Sequence, residues 1–381
     1  MKNLLNTELV KDKLQELGLS QTELSKKIGL SRQAVSKWFT GDQFPRPDKL
    51  LKLARILDLG FKDLVIKERD GTEPIIAFRK KARHKIPDGY IEKARNMGTM
   101  LETLLPYLPF DNLSQPSSLI DPKDEYDYIQ RVVKSVRNDA GISDESVVDF
   151  HNLLGLFLSR HAVLVPVLWG DKEHHENALH IYLPSSRTTW IYLNLDCKAP
   201  DFKFWMAHEL GHVYAPGLIS EETSDEAEDF ADHFAGALLF PESMALREYK
   251  HLCRIRSVQM IIRCICDRAE ELGISPVTVY TEANRFAEHH GKRPISLNSP
   301  NQIYQVMTNF NKKYGTVGQQ LFDNSEPSPS QYINSSREQF KSPIFDAVRE
   351  YIKEGDKSPG FLQSILSIPL LDAHGIYEAL C

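Results

Sequence analysis

His208, Glu209 and His212 stand in the order H-E-x-x-H just past the middle of a 381-residue chain. On a helix, residues four apart share a face, one turn above the other, so both imidazoles can reach one metal ion. The glutamate between them is placed to take a proton from a water at the open coordination position. Sixteen residues after His212 comes Glu228, and four later Asp232, two carboxylates on one face of a second helix. Two histidines and a glutamate leave a fourth position open, which is the ligand pattern of a catalytic zinc site. Asp232 is placed to accept the outer N–H of a ligand histidine. The competing reading is an amphipathic helix whose histidines sit at its polar edge. Phe204, Trp205, Met206, Ala207, Leu210, Val213 and Tyr214 count against it, because three polar groups in so apolar a helix need partners.

The other candidates nearby are weaker. The stretch from Ile219 to Asp232 holds seven acidic residues, and only Glu228 and Asp232 have the phase to face the metal. Asp225, one turn earlier, is the runner-up ligand. His233 points about 100° away from Asp232 on the helix and reads as a surface or packing residue. His174 and His175 read as surface residues of a polar turn. His251 and Tyr214 are candidates to stabilise a developing oxyanion, without a motif to support either. Cys264 and Cys266, two apart, face different ways and read as small core residues of a helix.

The run AHELGH followed by E-x-x-A-D-x-F-A-x-x-L-L-x-P, from Glu228 to Pro241, resembles the ImmA/IrrE family of bacterial and phage metallopeptidases. The family usually has Met before that proline, where this chain has Phe240. The resemblance covers roughly residues 130–285. It implies a zinc cofactor and a protein substrate, typically a repressor or another regulator cleaved in a stress or phage response.

Several elements must position these groups. Tyr126 to Asn138 and Ser146 to Arg160 have amphipathic helical spacing. Ala162 to Trp169, Leu179 to Leu183 and Thr188 to Leu193 read as strands, with Pro166 pointing to a sheet edge or bulge. Helices, a short antiparallel sheet and then the H-E-x-x-H helix match the zincin layout. In that layout a sheet edge beside the cleft pairs with an extended substrate, and Trp190 to Asn194 is the candidate edge.

The front of the chain carries a second motif. Ser20 with Glu23 makes a capping box, Gly29 sits where a helix ends, and Ser31 caps the next helix. The pattern Q-x-x-L-S-x-x-x-G-L-S-x-x-x-V-S-x-W, from Gln21 to Trp38, resembles the Xre and phage-repressor helix-turn-helix. Five short helices are expected over residues 8–66, the last from Phe61 to Val65. The second helix of such a motif enters the major groove, which would present Arg32, Gln33, Ser36 and Lys37 to base edges. Gln21, at a helix N-terminus, would lie near phosphate or a base. The alternative is a small helical bundle that binds protein. One such unit reads a half-site of double-stranded operator DNA, so a homodimer is expected.

The expected fold is mostly α with a small antiparallel sheet, an α+β chain. Its parts are a helix-turn-helix bundle at 1–68, a connector with a helix at 69–125, a zincin-like domain at 126–290 and a helical region of unassigned role at 291–381. The basic run Phe78 to Lys85 is either a backbone-contacting patch or a solvated face. Net charge is −6, but residues 1–70 carry +4 and the remainder −10, which directs any nucleic acid to the front end. Five cysteines without C-x-x-C spacing suit reduced thiols. Neither a transmembrane run nor a secretory h-region is present, and a cytoplasmic protein without membrane contact is expected. Two functions fit. One is a DNA-binding regulator carrying a zinc peptidase with Glu209 as general base. The other is a non-catalytic transcription factor or antitoxin that uses the zincin domain for binding or sensing. An intact Glu209 favours the first, because a structural zinc site needs no base there.

Overall fold

The local signals of the first sixty residues become β1 (Asn3–Leu5), α1 (Thr7–Glu16), α2 (Gln21–Ile28), α3 (Arg32–Phe39) and α4 (Pro47–Leu57), followed by β2 (Val65–Lys67). The computed structural model describes residues 3–40, 43–60, 64–67, 73–77, 88–110, 118–169, 178–219, 224–322, 326–355 and 358–381. Ser20 and Glu23 cap α2 reciprocally, Gly29 ends it at φ 78°, and the Ser31 hydroxyl accepts from the Ala34 N–H at 3.2 Å. Each such cap contributes about 1 kcal/mol. Val10, Leu14, Leu24, Ile28, Val35, Trp38, Leu50, Leu53 and Leu57 form the core of this unit.

Of the fifth helix expected over Phe61 to Val65, Phe61 to Asp63 lie outside the described residues, Leu64 is helical, and Val65 already belongs to the strand Val65–Lys67, paired antiparallel with Asn3–Leu5. β-branched Val65 and Ile66 favour an extended chain once a partner strand supplies the ladder.

Residues 74–381 form a second unit. It contains β3 (Ile75–Ala77), α5 (Asp88–Leu101), a 3-10 segment (Glu102–Tyr107), α6 (Tyr126–Asp139), α7 (Phe150–Leu158), β4 (Ala162–Val167), β5 (Ala178–Leu183) and β6 (Thr188–Asn194). Then come α8 (Ala199–Tyr214), α9 (Ser224–Leu239), α10 (Glu242–Leu252), α11 (Val258–Leu272) and α12 (Pro276–His289). The chain finishes with α13 (Gln302–Asn311), α14 (Val317–Leu321), α15 (Pro329–Gln339), α16 (Ile344–Lys353), α17 (Pro359–Leu366) and α18 (Leu370–Leu380). Among the described residues no helix is long and apolar enough to cross a membrane.

The sheet has the order β3-β5-β6-β4 and is mixed, which corrects the expected antiparallel one. β3·β5 and β5·β6 are antiparallel, but β4·β6 is parallel. The β5–β6 hairpin places β6 between β5 and β4, so β6 runs in the direction of β4. Trp190 to Asn194 is therefore an inner strand bonded on both sides, not an edge. Among the described residues the edges are β3 and β4. Pro166 sits on edge strand β4, where a missing N–H costs nothing. Its carbonyl and that of Leu164 accept from the hydroxyls of Tyr332 and Ser342, so the C-terminal helices seal this edge.

α8 lies on one face of the sheet. On the other, Gly98 of α5 approaches Ile181, and the Tyr192 hydroxyl donates to the Ile365 carbonyl of α17 at 2.6 Å. Ile303, Phe310, Phe345, Leu362 and Leu366 join the same core as Phe157, Trp190, Leu210 and Phe234. The borders expected at 125 and 290 thus do not separate cores. β3 and α5, from the expected connector, complete the sheet and cover it. The basic run from Phe78 to Lys85 lies outside the described residues.

Candidate functional site

α8 begins with Pro200 in its first turn and is buried over most of its length, as its apolar sequence demands. It presents His208 (1% exposed) and His212 (2%) from one face. α9 packs against it at Gly211, where a Cβ would stand 3.0 Å from the Ala231 Cα. A side chain at 211 would have to push the α9 backbone back by a few tenths of an ångström, and the close approach that glycine allows brings Glu228 to the histidines.

Three donors converge. His208 Nε2 and His212 Nε2 are 3.2 Å apart; Glu228 Oε2 lies 3.4 Å from the first and Oε1 3.4 Å from the second. Ligand bonds of about 2.0–2.1 Å in tetrahedral geometry require donors roughly 3.3–3.4 Å apart. The two imidazole nitrogens are thus at nearly the spacing zinc requires, and one donor atom from each of the three residues lies within 4.8 Å of the others. Among the described residues this is the one group of histidines, cysteines and carboxylates spaced to hold a metal ion.

Asp232 Oδ1 accepts from His208 Nδ1 at 2.8 Å, which leaves the Nε2 lone pair turned toward the other donors. Without a cation the cluster concentrates negative charge. Burial lowers the His208 pKa, but hydrogen bonds to Asp232 and Glu228 outweigh it and push the group up to about 10. Burial raises Glu228, and the two histidines more than reverse this, holding it at about 2. Both shifts express one demand for a positive charge at the centre of the donors, which a bound metal ion would satisfy.

Glu209 is 6% exposed and turned away from the triangle, as position i+1 requires. Its Oε2 lies 3.4 Å from Nδ1 of His180, a residue of β5 that is 1% exposed. Burial would raise the Glu209 carboxyl, but His180, His212 and His208 hold it below the ordinary carboxylate value, in the ionised form a base needs. The His180 ring meets that of His212 edge-on, with centroids 5.5 Å apart. Sequence reasoning missed His180. The available signal was a lone histidine in the apolar strand ALHIYL.

The remaining candidates fall elsewhere. Asp225 is exposed and outside the triangle. His233 pairs with Asp124, and exposed His251 lies 3.6 Å from Glu248. Tyr214 is buried against Phe234, with Arg160 4.0 Å over its ring. His174, His175, Glu221 and Glu222 lie outside the described residues.

In residues 1–73, α3 buries Val35 and Trp38 and turns Arg32, Gln33, Ser36 and Lys37 to solvent. Gln21 opens α2 and is half-buried.

Residues 10–64 match the family described as helix-turn-helix. Residues 165–283 match the IrrE N-terminal-like domain, a peptidase family. The chain joins an Xre-type helix-turn-helix domain to an ImmA/IrrE-like peptidase-family domain. The IrrE-like match takes in β6, α8 and α9, and with them all three converging donors. No curated protein and no solved structure matches the chain.

Proposed function

We propose that the chain is a DNA-binding transcriptional regulator whose IrrE-like domain is a zinc-dependent peptidase acting on a repressor or other regulatory protein. The observation that carries this reading is the triangle of His208, His212 and Glu228 with ionised Glu209 beside it. In this reading those three hold zinc, and Asp232 orients His208. Bound zinc would polarise the scissile carbonyl and make a neighbouring water more acidic. Glu209 takes the proton from that water as it attacks, and then delivers it to the departing amine. Arg32, Gln33, Ser36 and Lys37 would read base edges in the major groove, with Gln21 near a phosphate. One unit reads one half-site, so the bound form is a homodimer on a two-fold operator. Residues 1–68 serve as the reader, and the peptidase site lies within 126–290 of the unit formed by residues 74–381, in a cytoplasmic protein.

The test is metal analysis joined to cleavage. Wild type should bind one zinc per chain and cut a regulatory protein encoded beside it. Glu209→Gln should keep the zinc and lose the cutting. A wild type that binds zinc, cuts none of these proteins and represses its promoter as well as Glu209→Gln does would leave the non-catalytic regulator.

A further inference from the structure

His180 belongs to no motif, yet it is the group in van der Waals reach of the expected base. β5 lies between β3 and β6, so the His180 backbone is held in an inner strand, paired with Ala77 and Ile191. That fixes where the ring can go. It enters the layer between sheet and α8, where Nδ1 meets Glu209 Oε2 at 3.4 Å. At 3.4 Å the two atoms are in reach of each other but not aligned as a hydrogen bond, and neither they nor His180 Nε2 have another hydrogen-bond partner among the described residues. Burying unpaired polar atoms is unfavourable, and an aliphatic side chain would fill the same inner-strand position without that cost. An imidazole kept there points to a task beyond packing.

Glu209 has a competing attraction. It follows His208 in sequence and lies close to two imidazoles that would carry a cation. Helix phase aims its Cα–Cβ bond away from the triangle but leaves the side-chain torsions open, so a carboxylate left unheld would swing toward that charge and become a ligand rather than a base. A neutral imidazole with its proton on Nδ1 can hold one oxygen by a hydrogen bond and leave the other for water.

We propose that His180 is a positioning residue that anchors Glu209 Oε2 and keeps this carboxylate out of the metal's ligand set. The inference rests on the peptidase reading of the same site. It reaches the reacting atoms only through Glu209, and it leaves the ligand triangle untouched.

The experiment uses full-length protein loaded with cobalt(II), whose visible absorption reports its ligands, and titrates acetohydroxamate as a metal-binding probe that hydrogen-bonds to a nearby carboxylate. Wild type, His180→Phe, His180→Gln, Glu209→Gln and the double variant His180→Phe/Glu209→Gln are compared. In His180→Phe the cobalt remains bound, its spectrum shifts as a carboxylate enters the ligand set, and the probe binds about tenfold more weakly, the scale for losing an outer-shell partner. His180→Gln, which keeps a donor, recovers part of the loss. In the Glu209→Gln background, His180→Phe has no further effect. The inference is overturned if His180→Phe leaves spectrum and affinity as in wild type, or if its effect persists undiminished beside Glu209→Gln. If His180→Phe fails to fold, His180→Gln and its double variant with Glu209→Gln carry the same comparison. A wild type that binds no cobalt sinks the metal site itself. One that binds cobalt and shows the coupling but cuts no protein sinks only the peptidase reading.

Discussion

In residues 1–73 the side chains expected to meet DNA stand mainly on eight consecutive residues, α3, and face solvent. In residues 74–381 the candidate metal ligands come from two helices, the proposed base is flanked by a strand residue, and both histidines and Glu209 are buried while Glu228 is part-exposed. An exposed face on one capped helix asks only that the helix form and rest on its core. A buried cluster asks that separate elements meet to within an ångström, because each buried charge or lone pair must find its partner. The first surface should tolerate change in its surroundings. The second should fail when a backbone contact some distance from the donors is altered.

The largest separation of the two regions is expected from His208→Ala. Metal analysis should fall from one ion per chain to none, while a gel-shift titration with operator DNA stays at the wild-type value. Zinc retained by this variant would end the assignment of the triangle.

Gly211→Val tests the packing requirement directly, since no ligand is touched. The added atoms collide with Ala231, and overpacking of this kind costs about 1–3 kcal/mol. A lower melting temperature and weaker zinc binding should appear together. Unchanged zinc affinity would show that the donors do not depend on the helix approach.

Arg32→Ala is the counterpart on the exposed surface. It should weaken operator binding by about 1–3 kcal/mol and leave thermal stability unchanged. A fall in stability without a fall in DNA binding would make α3 a structural helix only.

A pH titration sharpens the account of the buried cluster. The raised pKa of His208 means that, without metal, the protonated ring stabilises the fold fully below its ordinary value of 6.5. That contribution is lost as pH rises through about 10. A metal must displace this proton, so apparent zinc affinity should rise up to about tenfold per pH unit between these limits. Isothermal titration at several pH values checks this, and a flat profile contradicts it.

The smallest effect belongs to Ser20→Ala, which removes the hydroxyl that accepts from the Glu23 N–H and leaves the backbone N–H of residue 20 donating to the Glu23 carboxylate. Chemical denaturation should register a loss of about 1 kcal/mol confined to the N-terminal unit. Zinc affinity should not change.

Much of the site was legible because helical spacing is a local property. His208 and His212 at i and i+4, and Glu228 and Asp232 likewise, declare shared faces before any fold is known. Ser20, Glu23, Gly29 and Ser31 mark the helix ends by the same local logic. The strands were legible as runs of β-branched and aromatic residues. Their order was not, because Thr188–Asn194 reads identically as an inner or an edge strand. The tyrosine and serine that seal the β4 edge lie about 170 residues from the carbonyls they bond, 166 for Tyr332 and 178 for Ser342. His180 gave no periodic signal at all, since a single strand histidine acquires meaning only from what packs over it.

Residue type and spacing alone thus marked which side chains are candidates to bind metal or DNA, and on which helix face each stands. Tertiary structure alone decided that α8 and α9 approach at Gly211, that His180 meets Glu209, and that the C-terminal helices complete the sheet's core. The reason is physical: helical phase and capping depend on neighbours within four residues, whereas burial, pairing order and the charge balance of a closed site depend on which distant surfaces exclude water together.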